Sequence, residues 1–159
     1  MLYQQVAACY ADRDMTLAVT TQLIGDTLLL LAFTLGLGAV TVIDLHGFLG
    51  RKSSYWTEAT TRTHKVTKPL IWLGSIALLS GSIVSYGFGW QLVVSLLLML
   101  NGLYLTFGVS RFLLEREKMG KAAELLPVNW QIGITISFIL SFLGWWSSFV
   151  GFLLMLQGR

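Results

Sequence analysis

Residues 69–110 read PLIWLGSIALLSGSIVSYGFGWQLVVSLLLMLNGLYLTFGVS, 42 residues without one Asp, Glu, Lys or Arg. A second uncharged run extends from Leu125 to Gly158. A hydrocarbon core about 30 Å thick is crossed by roughly 20 apolar residues of helix. Backbone polar groups in lipid must bond internally, which helices achieve and open sheets do not. The chain is therefore expected to be an all-α integral membrane protein forming one domain over residues 1–159. Tyr86-Gly87-Phe88-Gly89-Trp90-Gln91 interrupts the first run. Two glycines between interface-seeking aromatics predict a tight hairpin at the membrane surface, dividing the run into two spans.

Outward from that hairpin, four spans are predicted. The first covers about residues 23–43, with Asp26 in its first turn. The second covers 69–86 and starts at Pro69, a suitable first helical residue. The third covers 92–110. The fourth covers 129–156, longer than the bilayer requires, so it must tilt or protrude. The expected fold is a four-helix antiparallel transmembrane bundle. Residues 1–20 form a separate segment in this reading. Leu2, Val6 and Tyr10 recur every four residues and predict a short interfacial helix. Asp12, Arg13 and Asp14 stand where a secretory signal would need an apolar core.

Charge orients the bundle. Arg51, Lys52, Arg62, Lys65 and Lys68 precede the second span, and Arg111, Arg116, Lys118 and Lys121 follow the third. Only Arg13 and Arg159 fall on the opposite side. Basic loops face the cytoplasm, so both termini are expected outside, most simply in a bacterial cytoplasmic membrane.

Composition removes several function classes. The chain is 55% hydrophobic and 12% charged, with a mean hydropathy of +0.70. No basic stripe alternates with aromatics, so nucleic acid is not an expected partner. Cys9 is the single cysteine, which excludes an internal disulfide and a Cys-based metal cluster. Phosphate loops, nucleophile elbows and metalloprotease helices are absent from the sequence, so hydrolytic catalysis is not expected.

Small residues at four-residue spacing let helices approach closely in lipid. Ala77, Gly81 and Ser85 form such a stripe in the second span. Gly133, Ser137 and Ser141 form one in the fourth, and Ala32 and Gly36 lie in the first. Ionisable groups within spans are costly and are functional candidates. Asp26 is expected to reach water or cap its helix. Asp44 ends the first span at the depth where Arg111 ends the third, which predicts an ion pair. Asn101, in mid-span, needs a partner and predicts a hydrogen bond between helices.

His46 and His64 are the only histidines. One closes the first span and the other precedes the second, across a connection of about 17 residues in this reading. Two imidazoles from adjacent helices are able to ligate haem iron. A haem b is therefore expected at these two residues if the chain carries one; no other metal site is predicted. His64 also lies in Arg62-Thr63-His64-Lys65, a basic stretch suited to anionic lipid.

Gly36–Leu49 (GLGAVTVIDLHGFL), Asn101-Gly102-Leu103 and Gly144-Trp145-Trp146 together resemble a family of uncharacterised four-helix integral membrane proteins of bacteria. The resemblance covers about residues 23–156. In layout the chain is distantly similar to copper-resistance D type and b-type cytochrome four-helix membrane proteins. That likeness implies haem binding. The b-type proteins, however, place histidines inside facing helices, often in two pairs, whereas both histidines here belong to one rim.

A faint duplication pairs residues 46–52 with 110–116 and 78–81 with 141–144, which would make two equivalent hairpins. The leading functional expectation is a non-catalytic membrane subunit or scaffold, assembling with itself or a membrane partner. The alternatives are a cytochrome-like haem-binding redox protein and a small transporter or channel. Transport predicts a continuous polar path past Asp26, Asn101 and Asp44, whereas a scaffold predicts that these groups pair locally.

Overall fold

The computed structural model describes residues 2–50, 53–121 and 124–158, with side chains from residue 14 onward. Arg51, Lys52 and Arg159, used above for orientation, lie outside the described residues, as do the side chains of Cys9 and Arg13. No strand occurs among the described residues. The helices are α1 (Leu2–Ala32), α2 (Gly38–Gly50), α3 (Ser54–Tyr86), α4 (Trp90–Tyr104), α5 (Ser110–Lys118) and α6 (Val128–Gln157). Single π-helical turns, Phe33–Leu37 and Leu105–Val109, join α1 to α2 and α4 to α5 without breaking the rods.

Four rods result: Asp14–Gly50, Ser54–Tyr86, Trp90–Lys118 and Val128–Gln157, each long and apolar enough to cross a membrane. The first packs on the second, the second on the third, the third on the fourth, and the fourth closes back on the first. This is the expected all-helical bundle. The side chains it turns outward include Leu30, Leu73, Ile83, Leu97, Leu100, Leu140 and Leu143. Lipid tails accept such a surface where water would not.

The predicted hairpin is present. Gly87 has φ +59°, a conformation that side-chain-bearing residues rarely adopt, and its N–H donates to the Ile83 carbonyl at 3.1 Å. Phe88 at the tip is fully exposed.

Helix boundaries depart from expectation in two places. Pro69 does not start a helix but lies inside α3, which begins fifteen residues earlier at Ser54. Proline withholds one backbone donor and usually stops a soluble helix, but membrane helices tolerate it. The threonine-rich segment before Pro69 is itself helical. Thr57, Thr61 and Thr67 are buried there, and their hydroxyls donate to carbonyls one turn back. Likewise, the first helix is continuous from Leu2, so residues 2–20 are not a separate segment. The connection between the first two rods thus shrinks from about 17 residues to the three between Gly50 and Ser54. Thr57 Oγ1 ties it by donating to the Gly50 carbonyl at 2.8 Å.

Small residues decide the closest contacts. A Cβ on Gly74 would lie 2.5 Å from the Gly36 Cα, and one on Gly81 would lie 3.0 Å from the Gly25 carbonyl oxygen. The stripe of Ala77, Gly81 and Ser85, extended by Gly74, therefore packs directly on α1 and its π turn. On α6, Gly133 receives the Tyr104 hydroxyl and Gly144 receives Leu98. Leu29, Ala32, Phe33, Leu78 and Phe152 form an apolar layer across the interior. The two π turns do not obey the duplication: Phe33–Leu37 ends nine residues before His46, whereas Leu105–Val109 abuts Ser110.

Candidate functional site

The bundle has a hairpin end, at Gly87–Gly89, and a basic end, where α2 turns into α3. Most polar groups of the hairpin half pair locally. Asp26 accepts from Gln22 Nε2 at 2.9 Å and from the Ser85 hydroxyl at 3.2 Å. Ser82 and Ser95 share a buried hydrogen bond of 2.9 Å, and Gln91 Nε2 donates to the Ser148 carbonyl at 3.1 Å. The Ser148 hydroxyl is the exception in this half, buried without a hydrogen-bond partner, and it does not line the cavity described next.

The basic half differs. A cavity of about 70 Å³ lies between the rods and draws Asp44 from α2, His64 and Ser75 from α3, Asn101 from α4, and Ser141 and Trp145 from α6. Its other walls are largely aliphatic, with Val40, Ile43, Leu98 and Leu105 among them. It begins near Gly50 and Thr57 at the basic end and stops at Trp145 and Leu98. None of Leu29, Ala32, Phe33, Leu78 or Phe152 lines it, so the apolar layer separates it from the hairpin half.

Asp44 is the acidic residue among those lining it. It is only 8% exposed, and its Oδ2 has no hydrogen-bond partner. The Ser141 hydroxyl is turned to the carboxyl from the neighbouring helix. The expected Asp44–Arg111 pair does not form. Arg111 is 79% exposed by side chain and binds Glu115 one turn on, at 3.2 Å. Equal depth along two helices does not imply a shared face: Asp44 looks into the bundle and Arg111 away from it.

Asn101 makes the predicted contact between helices, and makes it twice. Its Nδ2 donates to the Ser137 carbonyl at 3.1 Å, and its Oδ1 accepts from the Ser137 hydroxyl at 2.8 Å. Within the stripe of Gly133, Ser137 and Ser141, Gly133 packs on Tyr104 while Ser137 and Ser141 line the cavity. Ser75, Gly102 and Trp145 were not read as site residues. The signal for Ser75 was a hydroxyl in an uncharged span, four residues from Ile71 and Leu79.

The two histidines do not face one space. His64 lines the cavity. His46 packs on Trp56 instead, with ring centroids 5.1 Å apart, and is not among the lining residues. His46 Nδ1 and His64 Nε2 are each buried without a hydrogen-bond partner. No cluster of three His, Cys, Asp or Glu able to hold a metal occurs among the described residues.

Beside the cavity, α5 closes the basic end with a clasp. Arg116 is 9% exposed and donates to the carbonyls of Lys121, Glu124 and Leu125 at 3.2–3.3 Å. Phe112 stacks on Trp130 at 4.1 Å beneath it, joining α5 to α6.

Comparison with protein-family models, with curated proteins and with solved structures gives no match. The class of the molecule therefore rests on its own features: four helices able to cross a membrane, enclosing a cavity confined to one half.

Proposed function

We propose that this is a non-catalytic integral membrane protein that holds a small cation in the cavity of its basic half. The observation that carries this reading is Asp44, a carboxyl nine-tenths buried with one oxygen unengaged beside an internal space. Intramembrane carboxyls of this kind commonly serve ions or ligand charges. The other polar donors are oxygens of Ser141, Ser75 and Asn101, and the Trp145 ring adds a π face. The size favours an occupant of a few heavy atoms, since an apolar cavity of roughly 150 Å³ takes benzene. An ammonium-type ion such as methylammonium meets these demands.

The alternatives fare less well. Haem exceeds a 70 Å³ space many times over, and only His64 of the two histidines lines it. A conducting path past Asp26, Asn101 and Asp44 is interrupted by the apolar layer. The scaffold reading draws support from the local pairing of Asp26 and Asn101. Cation binding accounts for Asp44 in addition. We place the protein in a bacterial cytoplasmic membrane with the basic end in the cytoplasm, on nine basic residues against two.

The test is thermal unfolding of the detergent-purified protein with methylammonium, guanidinium, sodium or potassium chloride. At a hundred times its dissociation constant, the cation that fits should stabilise by about 2.7 kcal/mol. Asp44→Asn should lose that response, and tetrabutylammonium, too large for the cavity, should give none. Equal responses in parent and variant, or no response to any of the four salts, would overturn the assignment.

A further inference from the structure

Outside the cavity, a groove of about 200 Å³ runs between α3 and α5, lined by Thr61, His64, Lys65, Lys68, Ser110 and the leucines Leu113 and Leu114. We propose that this groove binds the phosphate of an anionic phospholipid. The proposal is independent of what fills the Asp44 cavity, although His64 forms part of both walls.

Depth is the first support. Lys68 is the last charge before the uncharged run of residues 69–110, and Ser110 is its final residue. The groove therefore lies where both rods leave their charge-free stretch, the level at which lipid headgroups meet a membrane helix. A soluble anion has no reason to prefer that level.

Charge is the second support. Lys65 bonds Glu117 at 2.8 Å across the groove, with both side chains partly exposed. Lys68 has no ion-pair partner among the described residues. The groove thus presents one uncommitted ammonium and one shared ammonium. His64 contributes to the wall, as do the hydroxyl-bearing Thr61 and Ser110. Basic pockets between membrane helices recognise acidic headgroups by this chemistry.

Shape is the third. Leu113 and Leu114 line the groove beside its polar groups, and Leu114 is 40% exposed at its edge. A ligand with a phosphate and an acyl chain satisfies both kinds of surface, whereas phosphate alone satisfies one.

The experiment is native mass spectrometry of the full chain released from micelles containing dioleoylphosphatidylglycerol, dioleoylphosphatidylcholine or inorganic phosphate. The parent should retain phosphatidylglycerol in preference to phosphatidylcholine, and inorganic phosphate should not compete. Neutralising both lysines, Lys65→Gln with Lys68→Gln, should weaken retention about thirty-fold, roughly fivefold for each charge. Lys68→Arg should retain the lipid, which separates charge from folding. Lys118→Gln, an exposed cation at the same end, should change little. The groove assignment fails if Lys118→Gln weakens retention as much as the double variant, or if Lys68→Arg also loses the lipid. Absence of a preference for phosphatidylglycerol, or competition by inorganic phosphate, would overturn the lipid.

Discussion

Gly74→Leu should lower the unfolding free energy by about 3 kcal/mol, the upper end of ordinary overpacking costs. Even a Cβ at this position would lie 2.5 Å from the Gly36 Cα and 2.7 Å from the Gly36 nitrogen. Both obstacles are backbone, so no rotamer change relieves them and the first two rods must separate. Gly81→Leu should cost less, because its obstacles, Leu29 Cγ at 2.8 Å and the Gly25 carbonyl oxygen at 3.0 Å, stand farther off than the Gly36 backbone does from Gly74. Gly38→Ala is the control: its Cβ meets nothing within 4 Å, so stability should hold within about 0.5 kcal/mol. The measurement is denaturation in mixed micelles. Equal stabilities for Gly74→Leu and Gly38→Ala would mean that the first and second rods do not meet at Gly36.

Trp145→Ala should cost about 3–5 kcal/mol, as loss of a buried large aromatic does. Trp145 is 2% exposed, and its ring occupies the space that a side chain at Gly36 would need. It also forms the inner wall of the Asp44 cavity. Its loss would leave a void continuous with that cavity and weaken the seal toward the hairpin half. Its neighbour Trp146 is 38% exposed, and among the described residues its ring meets Phe142 and Phe149 of its own helix, tilted and edge-on. Trp146→Ala should therefore cost much less, and equal losses would contradict the packing described.

The uncharged runs, the four spanning helices and the Gly87 hairpin were legible because hydrocarbon imposes one simple rule on long segments. The small-residue stripes were legible too, since close approach in lipid demands them. Helix ends were not. Pro69 looked like a start because the chain before it is polar, yet Thr57, Thr61 and Thr67 satisfy their own hydroxyls and let the helix continue. The site was half legible. Depth along the chain marked Asp44 and Asn101, but depth carries no azimuth. It could not tell that Arg111 turns to Glu115, or that Ser141 and not a cation faces Asp44. The histidines illustrate the same limit: both belong to the basic rim, and only one looks inward. Ser75 and Trp145 stayed hidden because a lone serine or tryptophan in a span has many ordinary uses.

A water-accessible cavity that reaches inward from the basic end and stops at an apolar layer is the central claim. It is tested most directly by thiol accessibility in sealed vesicles of each orientation, on a Cys9→Ser background. Ser75 and Ser82 lie two turns apart on α3, and both are buried; Ser75 lines the cavity, and Ser82 bonds Ser95 at the level of the apolar layer, outside the cavity. With a small ammonium-bearing methanethiosulfonate, Ser75→Cys should react when the reagent is on the side of the basic end, and Ser82→Cys should react from neither side. Equal reactivity of the two cysteines, or a reaction at Ser75→Cys only from the hairpin side, would contradict the account.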